Sequence, residues 1–180
     1  KDSYDAIAEE IASYVQKGYR LLLFAKQEAD GILPLGYVTL SNPIRANAKE
    51  TFSYFKEQDV AIRVISGDNP QTVSEVAKRA GIEDAENYVD ATTLDSKAKI
   101  RDAVERYAVF GRVTPKQKQL IVKALQEAGH TVAMTGDGVN DILAMKDADC
   151  SVAMASGSEA CAQAAQVVLL DSDFAKMPEV

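Results

Sequence analysis

The sequence predicts an α/β fold, a doubly wound and mainly parallel sheet with helices on both faces. Three observations predict it. From residue 47 onward, short β-rich runs alternate with amphipathic helical stretches, the pattern of parallel strands joined by crossover helices. Polar strings containing glycine follow three of these strands, where open α/β sheets bind their ligands. The chain has 180 residues and is 47% apolar, enough for a sizeable core. Its longest apolar run, Leu21–Ala25, has the length of a strand and falls far short of the ~18 residues that span a bilayer. No basic-then-apolar signal segment opens it, so a soluble piece is expected.

Taken in order, the first element is a helix over 4–17, striped by Tyr4, Ile7, Ala8, Ile11, Tyr14 and Val15 and stopped at Gly18. A strand over 19–25, a polar turn over 26–31 and a strand over 36–40 follow, closed by Asn42-Pro43. Residues 47–57 are helical, with Ala48, Phe52 and Phe55 on one face, and 60–65 is a strand that runs into Ser66-Gly67-Asp68. Asn69-Pro70 caps and starts a helix striped by Val73, Val76, Ala77 and Ala80 and ended by Gly81. Residues 82–94 show no regular pattern. Ser96 caps a helix carrying Ile100, Ala103, Val104 and Tyr107, and a strand spans 107–111. Thr114-Pro-Lys-Gln117 reads as a capping box that opens a helix to about residue 128. Strands at 131–134, 150–154 and 166–170 complete the series, with an alanine-rich helix over 158–165 between the last two. There is no internal repeat and no low-complexity segment.

A net charge of −7 without a concentrated basic patch excludes nucleic acid as a partner. Cys150 and Cys161 lack a metal-ligand or redox spacing and read as reduced thiols. His130, the only histidine, falls in a helix-to-strand turn and reads as a surface residue.

The chemistry gathers in Thr135-Gly-Asp-Gly-Val-Asn-Asp141, between the strand 131–134 and a following helix. Gly136 and Gly138 permit sharp or left-handed backbone and close approach to a ligand. Asp137 lies in the turn, and Asp141, four residues on, can project to the same side. Two carboxylates and Asn140 at a strand's carboxyl end suit Mg²⁺, a hard cation with oxygen ligands. The bland alternative is a polar loop in which Asp and Asn cap the helix. Ser66-Gly67-Asp68 offers a hydroxyl and a glycine N–H at a helix mouth, a place that favours a phosphate. Lys118 shares a helix face with Ile121, Val122 and Leu125, so it should aim toward the sheet edge, whereas Lys116 and Lys123 point elsewhere. Its alternative is a stem covering apolar surface.

The seven-residue string resembles the hinge motif of the cation-transporting P-type ATPases, members of the haloacid dehalogenase (HAD) superfamily of phosphotransferases. Arg112-Val-Thr-Pro-Lys-Gln-Lys118 is similar to the family segment whose lysine contacts a phosphorylated aspartate. Ser66-Gly67-Asp68 is similar to its phosphoryl-binding Thr-Gly-Asp, with the hydroxyl kept. The resemblance implies Mg²⁺ and ATP, with Lys118, Asp137 and Asp141 catalytic, Asp137 and Asp141 on the metal, and Ser66, Gly67, Asp68 and Asn140 around the phosphate. It also implies nucleotide contacts for Arg20, in Gly18-Tyr-Arg-Leu-Leu-Leu23, and for Arg112. Asn42-Pro-Ile-Arg45 departs from the family's Asp-Pro-x-Arg by losing a charge.

No Asp-Lys-Thr-Gly-Thr occurs, nor an Asp-x-Asp-x-Thr, so the nucleophile is absent. By resemblance, residues 1–35 are the tail of a nucleotide-binding domain and 36–180 a phosphorylation domain without its nucleophile strand. The implied partners are the remaining nucleotide, actuator and transmembrane domains of a pump. The transported cation is bound elsewhere, and the setting is the cytoplasmic side of a bacterial plasma membrane. The nucleophile strand is central in such folds, so a gap in the sheet, a borrowed strand or an altered start is expected. Two other readings stand beside this one, a stand-alone phosphohydrolase using Asp68 or Asp137 and a non-catalytic module holding Mg²⁺ and nucleotide.

Overall fold

The computed structural model describes residues 2–28, 31–41 and 43–179, with the side chains of residues 2–7 excepted. Asn42, singled out above, lies outside the described residues. Two three-stranded parallel sheets form the body. In the first, β3 (Val64–Ile65), β5 (Val109–Gly111) and β4 (Tyr88–Asp90) stand in that order. In the second the order is β6 (Ala133–Gly136), β7 (Cys150–Met154) and β8 (Val167–Leu169). The strands β3 and β6 are the facing edges. Both line a cavity of about 730 Å³, with Ile65 on one side and Val132 and Met134 on the other. The expected gap in the sheet is therefore present.

Three of the helices, those between residues 70 and 127, start at side-chain caps. In α3 (Pro70–Ala80) the Asn69 side chain accepts the N–H groups of Gln71 and Thr72, and Gly81 ends the helix with a φ of 87°. The Ser96 side chain accepts Lys99 N–H at the start of α4 (Lys97–Arg106). Thr114 and Gln117 form the capping box of α5 (Pro115–Glu127). This last helix joins the two halves. Ile121 packs with Phe110, Ile100 and Val104 under the first sheet, while its neighbour Val122 packs with Met134, Met145 and Cys161 under the second. Met145 belongs to α6 (Ile142–Asp147) and Cys161 to α7 (Glu159–Ala164).

One end of the cavity is closed by α2 (Ala48–Glu57) and the 3-10 turn Phe174–Glu179. Phe174 lies 5.4 Å from Phe55 and 6.1 Å from Phe52, ring centre to ring centre. Arg45 fixes this closure by pairing with Asp173 at 3.3 Å.

At the N-terminus, α1 (Asp2–Gln16) precedes an antiparallel hairpin of β1 (Arg20–Glu28) and β2 (Gly31–Leu40). Leu22, Phe24, Ile32 and Leu35 remain exposed on it, so neither face of the hairpin is fully covered. The hairpin is longer than the sequence pattern indicates, because Lys26, Gln27 and Glu28 continue the ladder on a ribbon open to water, where polar side chains cost nothing. Three further boundaries differ. Only Val64 and Ile65 of the run 60–65 pair, since β3 has β5 on one side and the cavity on the other. The strand expected at 131–134 pairs over Ala133–Gly136, drawing Gly136 into register with Ala153. The short β4 arises from long-range pairing of Val89 with Phe110 and leaves no local pattern to read.

Two outcomes are expected. Ile121 is fully buried, so Ile121→Ala should lower stability by about 2–5 kcal/mol in urea unfolding. The Asp149 carboxylate accepts the Val132 N–H at 2.8 Å, and this bond chiefly holds its pKa below the usual 3.8. A depressed carboxylate stabilises the fold above its unfolded pKa, and the contribution is lost as pH falls through the folded value. The urea midpoint should therefore drop below about pH 4, and Asp149→Asn should make that drop smaller.

Candidate active site

Three loops leave the carboxyl ends of β3, β5 and β6 and gather at one end of the cavity. After β3, Ser66 Oγ accepts the Asp68 N–H at 3.1 Å. The loop after β5 grips this turn from behind, with Arg112 N–H on Asp68 O at 2.8 Å and Val113 N–H on Ser66 O at 3.0 Å. That grip needs glycine at 111, where a Cβ would lie 2.3 Å from Pro70 Cα. Gly67 is exposed, and an added Cβ there would meet nothing nearer than Val113 O at 3.9 Å. The turn thus presents open backbone at the start of α3, the place where helix N–H groups and the helix dipole favour an anion.

After β6 the chain makes a 3-10 turn over Val139–Asp141 that leads into α6. Asp141 turns inward. Its Oδ1 accepts Lys118 Nζ at 2.6 Å and its Oδ2 accepts the Gly138 N–H at 3.3 Å. Both partners of the ion pair are largely out of water, with side-chain exposures of 14% for Lys118 and 9% for Asp141. Asp137 is exposed and without a hydrogen-bonded carboxylate among the described residues. Asn140 is exposed beside it. The left-handed backbone that the loop's glycines permit is not used. Gly136 and Gly138 keep ordinary negative φ, unlike Gly18, Gly31, Gly81 and Gly129. Gly136 is required by contact, since a Cβ there would fall 2.6 Å from Asp141 Cβ.

The two arginines occupy the rim. Arg20 on β1 stands 3.7 Å from Asp68, and Arg112 donates to Asp90 at 2.8 Å while holding a φ of 53°. The Thr92 hydroxyl and N–H pull the Asp90 pKa down, with the Arg112 charge adding to them. Sequence reasoning did not select Asp90. Its only local sign is the threonine two residues on, which marks an Asx-type turn. It also missed Gly157 and Ser158, which touch the backbone of Asp137. No group of three or more His, Cys, Asp or Glu side chains gathers among the described residues. A hard cation here would be held by one or two carboxylates and complete its shell from water and an incoming group, the usual habit of Mg²⁺.

Parallel strands, loops converging at their carboxyl ends and a buried lysine–aspartate pair beside an exposed aspartate define a class of phosphate-handling α/β enzymes. The chain belongs to the haloacid dehalogenase-like hydrolases, a family it matches over residues 2–149. Among its relatives, a Streptococcus pneumoniae protein described as "Probable cation-transporting ATPase exp7" is 43% identical over 98% of this chain and 24% of its own length. The calcium-transporting ATPase CtpE of Mycobacterium tuberculosis is 46% identical over 91% of the chain and 22% of its own. A crystal structure of a zinc-transporting PIB-type ATPase in an E2.Pi state superposes with a TM-score of 0.64 at 25% identity, covering 93% of this chain and 23% of that one. The chain therefore spans about a quarter of the length of these proteins.

Breaking one partner of a buried ion pair leaves the other charge uncompensated. Lys118→Met should cost about 3–5 kcal/mol in denaturant unfolding, and adding Asp141→Asn should recover roughly half of that loss.

Proposed function

We propose that this chain is the phosphorylation domain, residues 36–180 with the tail of a nucleotide-binding domain at 1–35, of an ATP-driven cation-transporting P-type ATPase. The observation that carries the reading is the slot between β3 and β6, with Ser66-Gly67-Asp68 and Asp137 at the carboxyl ends of its two walls. The cavity of about 730 Å³ lies between two parallel edge strands, the place and direction that one further strand would take. Arg63, on the β3 wall, has a buried Nε with no partner among the described residues, a donor that an inserted backbone carbonyl would satisfy.

A strand inserted parallel to both walls would end between the two loops. An aspartate at that end would be the nucleophile, taking the γ-phosphoryl of ATP onto a carboxylate oxygen while ADP departs. Lys118, fixed by Asp141, offsets negative charge on the transferring group, and the Ser66–Asp68 turn receives its oxygens through hydroxyl and N–H. Asp137 and Asp141 fit a Mg²⁺ site, Asp137 as the exposed ligand and Asp141 as the group that orients the lysine and the turn. Bound Mg²⁺ would supply further positive charge at the phosphoryl oxygens. Arg20 and Arg112 sit where they can exchange Asp68 and Asp90 for nucleotide. The partners are the nucleotide, actuator and transmembrane domains of the same pump, on the cytoplasmic side of a bacterial plasma membrane. The transported cation binds in the membrane part.

The test supplies the missing strand. Purified chain is incubated with ATP and Mg²⁺, with and without a synthetic segment in which an apolar strand precedes Asp-Lys-Thr-Gly-Thr. Phosphate release and acid-stable label are followed together. The expected result is neither signal from the chain alone and label on the added segment's aspartate. Turnover by the chain alone that disappears in Asp137→Asn would identify a stand-alone phosphohydrolase. Mg²⁺ and nucleotide binding without label, even with the segment bound, would identify a binding module.

A further inference from the structure

We propose that the turn after β7, through Gly157 and Ser158, is a positioning element that fixes the backbone from which the Asp137 carboxylate projects. The Ser158 N–H donates to Asp137 O at 2.7 Å. A Cβ on Gly157 would lie 2.3 Å from the same oxygen and 2.9 Å from Asp137 C and Cα, all backbone atoms that cannot swing aside. Glycine at 157 is thus demanded by the aspartate's backbone, 20 residues away in sequence.

The turn is itself fixed from three sides. Gly157 N–H donates to Met154 O at 2.9 Å, tying it to the end of β7. Ala155 N–H reaches Leu169 O at 3.1 Å and Ser156 N–H reaches Ser172 Oγ at 2.7 Å, tying it to the end of β8. Ser158 Oγ accepts the Cys161 N–H at 3.2 Å and caps α7. Within its own loop, Gly136 lies against Asp141 at the 2.6 Å approach described above. The Asp137 backbone is therefore held by a turn that is itself anchored, while its carboxylate is left free. Groups that orient a ligand in this indirect way typically change metal affinity by about 10–100-fold when removed.

This inference rests on the metal reading of Asp137, and its test is built to separate the two. Mn²⁺, a stand-in for Mg²⁺, is titrated into the chain and followed by electron paramagnetic resonance and by broadening of the Asp137 amide signal. Gly157→Ala should weaken Mn²⁺ binding at least about tenfold and shift the Asp137 resonances. Ser158→Ala keeps the backbone N–H and loses only the helix cap, so it should lower the unfolding midpoint while leaving Mn²⁺ affinity unchanged. Equal Mn²⁺ affinity for Gly157→Ala and the unaltered chain would overturn the inference, as would an equal loss in Ser158→Ala. If the unaltered chain takes up no Mn²⁺, the metal reading fails and the hydrogen exchange of the Ser158 amide decides. Protection lost in Gly157→Ala at unchanged global stability supports the positioning role, and protection retained refutes it.

Discussion

Helix α5 is the constraint on which the rest of this structure depends. The two half-sheets share no backbone ladder, because β3 and β6 face each other across the slot. Besides the α2–Phe174 closure, they are bridged by one helix with consecutive residues in two cores, Ile121 in the first and Val122 in the second. At its amino end Lys118 reaches Asp141 on the far half. Apolar burial holds the halves non-directionally, and the short charge-assisted bond adds the direction that burial lacks. The lysine that ties the halves is also the one proposed above to offset charge on a transferring phosphoryl group.

Close backbone contact is the second theme of the site. Gly111 against Pro70, Gly136 against Asp141 and Gly157 against Asp137 are three places where a Cβ would fall within 2.6 Å of another atom. The first and third bind one loop to its neighbour and the second closes the loop after β6 on itself, the kind of preorganisation that charge stabilisation needs. The rim's charged groups are arranged differently. Arg20 and Arg112 form exposed pairs with Asp68 and Asp90, and such pairs contribute little to stability and exchange partners readily. Rigid backbone with exposed arginine pairs suits the proposed binding of a phosphoryl group and a nucleotide.

Two surfaces stay open. The slot leaves the facing edges of β3 and β6 unpaired, and the β1–β2 hairpin shows Leu22, Phe24, Ile32 and Leu35 to solvent. Unpaired edges and exposed apolar strands are templates for association. Both fit a chain that spans about a quarter of its relatives' length.

The sequence by itself determined the α/β class, the capped helices α3, α4 and α5, and the residues of the three loops. These are local matters: Asn69, Ser96 and Thr114 cap through neighbours two or three residues away, and periodicity shows in any run long enough to repeat. The absent nucleophile motif also made the gap legible. Tertiary structure alone decided the rest. The strand β4 exists because Val89 meets Phe110 from elsewhere in the chain, and no local pattern marks it. Asp137 and Asp141 stand four apart and read as a matched pair, yet one faces water and the other is drawn inward by Lys118, 23 residues back. Gly136 and Gly157 are glycine because other backbone or side-chain atoms come too close, not because of their own torsion angles. Which atoms approach a residue from a distant segment is a property of packing, and packing is what the linear order of residues does not display.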